Sequence, residues 1–371
     1  MSGPALAERL RQRVVALPPG QPVTARWLRA AAREEAPLVD RAELDAAVRA
    51  VLAAGVGFGP LEPLLADPAV TEVMVNGPGP VWVERAGRLE RTDVVVDAAA
   101  IAQVIERVVA PLGLRADRGS PCADARLPDG SRAHVVLPPL AVDGPCLTIR
   151  RFSARTLALD DFCAPQVAAL LARCVAERRN IVVAGATSSG KTTLLNALAA
   201  HIPPGQRIVT VEEAAELRLP QEHVVRLEAR PPNAEGAGEV RVRELVRNAL
   251  RMRPDRLIVG EARGPEAFDL LQAMNTGHDG SFSTLHANSP SDALRRLETM
   301  AMLADVAIPL TAVRQQIASA VDLVIQVGRR AGGRRAIVEV AEVGDRPPTT
   351  RRLADERGVL GQCSRPPRSD P

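Results

Sequence analysis

The chain contains a single lysine, Lys191, although lysine and arginine together number 47. It lies in the stretch Gly185-Ala186-Thr187-Ser188-Ser189-Gly190-Lys191-Thr192, which matches the pattern G-x-x-x-x-G-K-[ST] at every fixed position. A compact ammonium on a thin stem can enter a narrow loop and contact two phosphates, which the broad guanidinium of arginine does less well. The stretch therefore predicts a loop that binds the phosphates of a nucleoside triphosphate.

Each residue type in this loop suits phosphate binding. The two glycines allow the backbone to turn so that successive N–H groups point at the phosphates, and a helix starting near Lys191 adds its positive dipole end. We expect Lys191 to bridge the β- and γ-phosphates of ATP and the Thr192 hydroxyl to ligate Mg²⁺. The residues predicted to contact the nucleotide here are Gly185, Ala186, Thr187, Ser188, Ser189, Gly190, Lys191, Thr192 and Thr193.

Two glutamates follow apolar runs that are typical of buried strands. Glu261 ends the run Leu257-Ile258-Val259-Gly260, and Glu212 ends a second run. Because the carboxyl ends of strands in an open α/β sheet face the ligand crevice, we expect both carboxylates near the triphosphate, with Mg²⁺ between them. Glu261 is placed to polarise the attacking water or to hold Mg²⁺ through water, the alternative being a pair with Arg263. Glu213 is left open.

Two histidines, His278 and His286, flank a glycine turn that leads into a predicted strand. A metal pair is an open alternative, but no cysteine or third ligand accompanies them. A sensor of the γ-phosphate is the more economical role, since imidazole can donate a hydrogen bond to phosphate. Arginines from another domain or subunit often complete phosphoryl-transfer sites, and Arg150, Arg151 and Arg230 are the candidates considered below.

The first part of the chain divides into two predicted segments. Residues 1–55 show apolar positions at helical spacing, broken at Leu17–Pro22. Residues 56–152 combine predicted strands, including Val70–Val75 and Cys146–Arg150, with an amphipathic helix at Ala98–Val109. This mixture predicts a small α+β domain after an N-terminal helical segment.

From residue 153 to residue 343 predicted strands and helices alternate. This predicts an α/β fold in which a parallel sheet with crossover helices forms a RecA-like P-loop NTPase domain. The runs Val321–Val327 and Ala336–Val343, joined through Gly332-Gly333, predict a closing hairpin. Residues 344–371 are rich in proline and arginine, including Pro347 and Pro348, and are predicted to be disordered.

Composition limits the function classes. The 371 residues allow two or three domains, and 46% hydrophobic and 25% charged residues are typical of a globular protein. A net charge of +3, with 2% aromatics and no tyrosine, argues against direct binding of nucleic acid. Five cysteines without a C-x-x-C pair favour a reducing cytoplasm. No run reaches the ~18 apolar residues of a membrane helix, so a peripheral membrane role is expected.

Longer motifs resemble a known family. The stretches Arg253–Arg263, Gln272–Ser281 and Thr284–Asn288, together with Thr71–Gly77 and Leu147–Phe152 in the first domain, are similar to those of type II/IV secretion ATPases. The likeness is greatest to the CpaF/TadA branch, which powers Tad pili. It extends over roughly residues 55–343, far beyond the phosphate loop alone.

The resemblance implies a homohexameric ring at the cytoplasmic face of the inner membrane, working with a polytopic platform protein. It gives Lys191 and Thr192 the Walker A roles and Glu261 the Walker B carboxylate. It places Glu212 in an acidic box, and both His278 and His286 in a histidine box. The arginines that it places near nucleotide are Arg150, Arg151 and Arg230. The sequence departs from the family pattern at Glu213, where aspartate is usual, and beyond Val343.

The expected function is therefore ATP hydrolysis that powers assembly of a Tad-type pilus or protein secretion. Two alternatives stay open. The first is a hexameric conjugation ATPase that transfers DNA, because such ATPases share these motifs. The second is a regulator that binds nucleotide without hydrolysing it, although such a protein does not need the full set Glu212, Glu261 and His286.

Overall fold

The computed structural model describes residues 3–15, 24–37, 39–55, 57–85, 87–127, 129–151, 157–232, 236–330, 333–346 and 349–368. The chain divides into two compact units, Met1–Phe152 and Ser153–Pro371. No helix in these described ranges is long and apolar enough to cross a membrane. The predicted helix break at Leu17–Pro22, along with Phe152, Gly332, Pro347 and Pro348, lies outside them.

The first unit begins with three helices that bury their apolar stripes against one another. Leu28, Ala31 and Ala32 of the second helix face this core. The Thr24 hydroxyl caps that helix by accepting a hydrogen bond from the N–H of Trp27 at 3.2 Å. The helices are α1 (Gly3–Val15), α2 (Ala25–Glu35) and α3 (Arg41–Gly55).

The rest of the first unit is a six-stranded antiparallel sheet whose apolar face shares a core with one long helix. That helix starts where the Asp97 carboxylate accepts a hydrogen bond from the N–H of Ala100 at 2.7 Å, and it buries Ile101, Val104 and Val108. The elements are α4 (Glu62–Ala66), β1 (Val70–Asn76), β2 (Gly79–Arg85), β3 (Arg88–Val96), α5 (Ala98–Val109), β4 (Cys122–Arg126), β5 (Arg132–Val136) and β6 (Cys146–Arg150). The strand order is β3-β2-β1-β6-β5-β4.

The second unit is built on an eight-stranded sheet of order β14-β13-β12-β7-β11-β10-β8-β9. The six strands from β12 to β9 are parallel, and β13 and β14 add an antiparallel edge. The strands are β7 (Ile181–Gly185), β8 (Ile208–Glu212), β9 (Val224–Glu228), β10 (Arg256–Val259), β11 (Phe282–His286), β12 (Leu323–Arg329), β13 (Arg335–Val343) and β14 (Thr350–Ala354). The helices are α6 (Pro165–Ala176), α7 (Lys191–Ala199), α8 (Val242–Ala249), α9 (Glu266–Asn275), α10 (Pro290–Met302) and α11 (Leu310–Ala320).

Helices cover both faces of this sheet, which explains the unbroken apolar run of β7. Ile181 and Val183 lie in one core cluster with α6 and α7. Val182 and Ala184 lie in the other cluster, with α8 to α11. A strand buried on both faces reads as a continuous apolar run rather than an alternating one. The predicted fold class is confirmed: a RecA-like α/β sheet preceded by a smaller α+β region and N-terminal helices.

The C-terminal tail differs from its prediction. Strand β14 pairs with β13, and Leu353 and Ala354 are fully buried. Beyond it, Arg365 donates to the Val321 carbonyl at 2.9 Å, and Arg368 donates to the Asp322 carboxylate at 2.7 Å. The prediction of disorder is therefore wrong for residues 349–368, because these contacts return the segment to the sheet despite its proline-rich composition.

Candidate functional site

Four neighbouring strands bring most of the predicted site residues to one edge of the sheet. Gly185, which ends β7, stands in register with His286, which ends β11. Glu212 ends β8, and Glu261 is the second residue after the end of β10. Because β8, β10, β11 and β7 are adjacent and parallel, their carboxyl ends open onto a common crevice.

The loop between β7 and α7 has the backbone geometry of an anion nest. Ser188 and Gly190 adopt left-handed conformations, with φ of 56° and 101°. A Cβ atom on Gly185 would lie 2.6 Å from the Val327 carbonyl oxygen, so only glycine fits there. Helix α7 begins at Lys191, and the N–H groups at a helix start point toward the space in front of it. This loop fits a chain of phosphates.

Lys191 lies at the centre of this edge and is only 8% exposed. Its ammonium donates to the carbonyls of Gly185 at 3.3 Å and Ala186 at 3.1 Å. The same nitrogen lies 3.3 Å from Nε2 and 3.4 Å from Nδ1 of His286. The ammonium is therefore held at the loop, next to the imidazole.

A row of close contacts continues from Lys191 through His286 to Glu261. Nε2 of His286 lies 2.6 Å from Oε1 of Glu261, in a close contact whose angle is not that of an aligned hydrogen bond. Arg263 donates to Oε2 of Glu261 at 2.8 Å and to Glu213 at 2.6 Å. Burial lowers the pKa of His286, and the cations Lys191 and Arg263 lower it further against the opposing effect of Glu261. These surroundings therefore favour the neutral imidazole.

Glu212 is buried beside this row of contacts. Its carboxylate oxygens accept hydrogen bonds from backbone N–H groups of the residues that follow β8. Oε1 accepts hydrogen bonds from the N–H groups of Glu216 and Leu217, each at 3.0 Å. Burial raises the pKa of Glu212 to about 7, although these N–H donors oppose the shift. Gly260 is required here because a Cβ would lie 2.7 Å from Cγ of Glu212. Glu212 thus fixes the backbone of the segment that follows β8. Its role as a metal ligand stays a prediction.

The structure places His278 away from the phosphate loop. His278 precedes β11, and this strand carries the chain about 13 Å to His286 at the opposite end. Its neighbour Asp279 contacts Arg368 of the C-terminal segment, at 2.7 Å. The two predicted sensor histidines are therefore separated, and only His286 contacts Lys191 and Glu261.

The predicted arginines also lie apart from the loop or in the other unit. Arg230 follows β9, four strand spacings from β7, which is roughly 19 Å. Its guanidinium donates to the carbonyl of Gly238 at 2.6 Å. Arg150 and Arg151 belong to the first unit, where Arg150 is exposed and Arg151 donates to the carbonyls of Asp67 and Val70. No contact with nucleotide follows from these positions.

Two arginines on the β12–β13 hairpin contact the loop and were not predicted to be site residues. Arg329 donates to the carbonyl of Ser188 at 2.8 Å, and Arg335 donates to the hydroxyl of Thr193 at 3.0 Å. The hairpin itself was predicted, but its position beside the loop depends on the pairing of β12 with β7. Among 46 arginines, nothing local distinguishes these two.

The residues that could hold a metal are few. Among the described residues, no group of three or more histidine, cysteine, aspartate or glutamate side chains could form a metal site. A Mg²⁺ ion bound through a threonine hydroxyl, phosphate oxygens and water does not need such a group. Thr192, the second residue of α7, fits that arrangement. Glu261 fits as a carboxylate that acts through water.

This sheet, nest and helix define a P-loop protein of the RecA-like type. The chain belongs to the type II/IV secretion system protein family, which matches it over residues 55–357. A putative conjugal transfer protein of Mycobacterium tuberculosis is 42% identical over 297 residues, covering 77% of this chain and 84% of that protein. The type IV secretion system protein PtlH of Bordetella pertussis is 36% identical over 319 residues, covering 76% and 92%.

A solved structure agrees with the fold. The pilus retraction motor PilT with bound ADP superposes with a TM-score of 0.58 at 20% identity, covering 76% of this chain and 80% of that one. At this identity the likeness concerns the fold. The narrower resemblance to the CpaF/TadA branch stays a prediction.

Proposed function

We propose that this protein is an ATPase motor that hydrolyses ATP at the carboxyl edge of the second unit and so drives a secretion or pilus machine. The carrying observation is the continuous contact from Lys191 through His286 to Glu261, directly beside a loop shaped for phosphates. A protein that only binds nucleotide needs the loop and Lys191. It does not need a carboxylate held at the end of that contact.

Binding is the task of the loop, α7 and Lys191. The N–H groups of the nest and of the first helical turn hold the phosphate oxygens, and Lys191 exchanges its carbonyl partners for the β- and γ-phosphates. The Thr192 hydroxyl would hold Mg²⁺, which would neutralise part of the phosphate charge. Each charge-assisted hydrogen bond contributes about 1.5–3 kcal/mol, so a few of them suffice for firm binding.

Hydrolysis is the task of Glu261. Its carboxylate orients the attacking water and accepts its proton, while Arg263 fixes one oxygen at 2.8 Å. His286 lies between the ammonium and this carboxylate, so a γ-phosphate that draws Lys191 away changes the surroundings of Glu261. In this way His286 links the presence of the third phosphate to the catalytic carboxylate.

Replacing Glu261 by glutamine tests this assignment. The Glu261→Gln variant should bind ATP with unchanged affinity, while its turnover should fall at least ~100-fold because the proton acceptor is lost. ATP binding is measured by equilibrium titration and turnover by phosphate release. Glu213→Gln is the matched control, since it removes only the second partner of Arg263 and should cost less than tenfold. Full turnover in Glu261→Gln would place the base elsewhere.

For the cargo, we propose pilin subunits or secreted proteins. Membership of the type II/IV secretion family and the low aromatic content support this choice. The conjugal transfer relative favours a second candidate, a DNA-transfer ATPase. The two differ in one measurement: DNA should stimulate the turnover of a DNA-transfer motor, and salt should abolish that stimulation steeply.

We further propose that the working form is a homo-oligomer, a hexamer by family resemblance, at the cytoplasmic face of the inner membrane, bound to a polytopic platform protein. Arg230 supports the oligomer. At roughly 19 Å from β7 it is too far to reach a nucleotide on its own loop, yet it lies at the same carboxyl edge. From there it can serve the site of a neighbouring subunit.

A further inference from the structure

The β12–β13 hairpin contacts both ends of the phosphate loop. Strand β12 is the parallel neighbour of β7, with Val324 opposite Val182, so the last residues of β12, up to Arg329, extend past the end of β7. There Arg329 and Arg335 stand opposite each other in the ladder. Arg329 donates to the carbonyl of Ser188, the strained residue of the loop, at 2.8 Å. Its contact is with the backbone of the loop and fixes its shape.

Arg335 contacts the other end of the loop, where α7 begins. Its Nη1 donates to the hydroxyl of Thr193, the third residue of α7, at 3.0 Å. Its side-chain stem passes over Gly190, where an added Cβ would lie 2.6 Å from Cδ of Arg335. Glycine at this position therefore permits the loop conformation and also the approach of the arginine.

The position of the Arg335 guanidinium determines which phosphate of a bound nucleotide it can contact. In loops of this pattern the backbone N–H groups hold the α- and β-phosphates, while the lysine reaches the β- and γ-phosphates. The first turn of α7 directs its N–H groups to the same anion. A cation bonded to Thr193 is thus on the side of the helix terminus, and Lys191 contacts His286 on the side of the γ-phosphate.

We propose that Arg335 binds the α-phosphate of the nucleotide, a role that rests on the proposed function. A guanidinium has five N–H donors in a planar fork, so it can hold the Thr193 hydroxyl and a phosphate oxygen together. The α-phosphate is common to ATP, ADP and AMP. Arg335 therefore contributes equally to substrate and product, and it does not take part in the chemical step.

The test is the affinity of the full-length protein for three adenine nucleotides. Arg335→Ala should weaken ADP, AMP and, in a Glu261→Gln background, ATP by the same factor of about tenfold, since one charge-assisted contact is lost. In the hydrolysing protein it should raise KM by a similar factor while kcat stays within twofold. Arg335→Lys should recover most of the affinity. Arg334→Ala is the matched control, because Arg334 pairs only loosely with Glu356, at 3.6 Å.

Each other outcome overturns the proposal. Unchanged ADP affinity in Arg335→Ala removes the phosphate contact, and a loss confined to ATP moves the arginine to the γ-phosphate. A fall in kcat with unchanged ADP affinity assigns Arg335 to loop positioning. Should Arg335→Ala fail to fold, Arg335→Gln keeps a donor for Thr193 without the charge and must show the same loss of affinity. If the wild-type protein does not bind ADP at all, the proposed function fails first.

Discussion

Glu212 has an environment that penalises its charge. It is 3% exposed, and burial raises its pKa from 4.5 to about 7. A carboxyl whose pKa is higher in the folded state than in the unfolded state binds protons more tightly when folded. The stability that it contributes is complete below pH 4.5 and is lost as the pH rises through 7. Above pH 7 the penalty is constant.

Glu212→Gln should therefore change how stability depends on pH. At pH 8 the variant should be more stable than the wild type by up to about 3 kcal/mol, because an amide carries no charge to bury and its oxygen still accepts from Glu216 and Leu217. At pH 4.5 the two proteins should be similar. Denaturant unfolding at both pH values measures this, with Glu213→Gln as the exposed control. A constant difference between the proteins at both pH values would contradict the prediction.

At the scale of single residues, sequence motifs predicted the site only where its residues are adjacent in the chain. The loop from Gly185 to Thr193 could be found because its glycines, lysine and threonine are adjacent in the chain. His278 was grouped with His286 by proximity in sequence. Strand β11, which begins after His278 and ends at His286, places the two side chains toward opposite ends of the strand. The length of the strand between the two histidines already indicates that they lie far apart.

At the scale of elements, the C-terminal segment acts as a strap across the second unit. Asp322 is 3% exposed and receives both Arg365 and Arg368. Arg368 also reaches Asp279 at 2.7 Å and the Ser319 carbonyl at 2.6 Å. These contacts join the end of the chain to the turns before β11 and β12.

Arg368→Ala should destabilise the second unit by ~1.5–3 kcal/mol, the contribution of hydrogen bonds to charged groups, because Asp322 would keep only Arg365 and the Asn180 N–H. Thermal unfolding monitored by circular dichroism measures the change. Arg357→Ala, an exposed position in the same segment, should have little effect. Equal melting temperatures for the Arg368→Ala and Arg357→Ala variants would show that the contacts of Arg368 add nothing to stability.

Elements that carry few apolar residues could not be predicted. Strand β3 reads Arg-Leu-Glu-Arg-Thr-Asp before its three valines and is mostly exposed, so the alternation that marks a strand is weak. Strand β14 contains two arginines among five residues, and its order comes from pairing with β13. The buried strands β10 and β12, in contrast, were predicted from the apolar runs that they contain.

At the scale of the whole molecule, the order of strands in the eight-stranded sheet determines which side chains of one chain can reach its own phosphate loop. The order of strands is not visible in the sequence, and it is the order that places β12 beside the loop and β9 far from it. The contact of Arg335 with the loop could therefore not be predicted from the sequence, and neither could the distance of Arg230 from β7. Both results follow from pairings between segments distant in the chain.

Mixing two inactive variants tests whether Arg230 serves a neighbour. Arg230→Ala and Glu261→Gln should each be nearly inactive alone. Randomly mixed rings should recover about a quarter of the wild-type turnover, since that share of interfaces pairs an intact Glu261 with an intact Arg230 from the adjacent subunit. Phosphate release after co-refolding or co-expression measures it. No recovery in mixed rings, with each variant inactive alone, would place Arg230 in its own subunit's site or in the fold.

The single lysine allows selective chemical labelling of the site. Lys191 carries the single ε-amine among the side chains of this sequence, so reagents that acylate primary amines have one side-chain target, and it lies in the crevice. Covalent capture of that amine, and its protection by a bound anion, would therefore report site occupancy through one modified side chain.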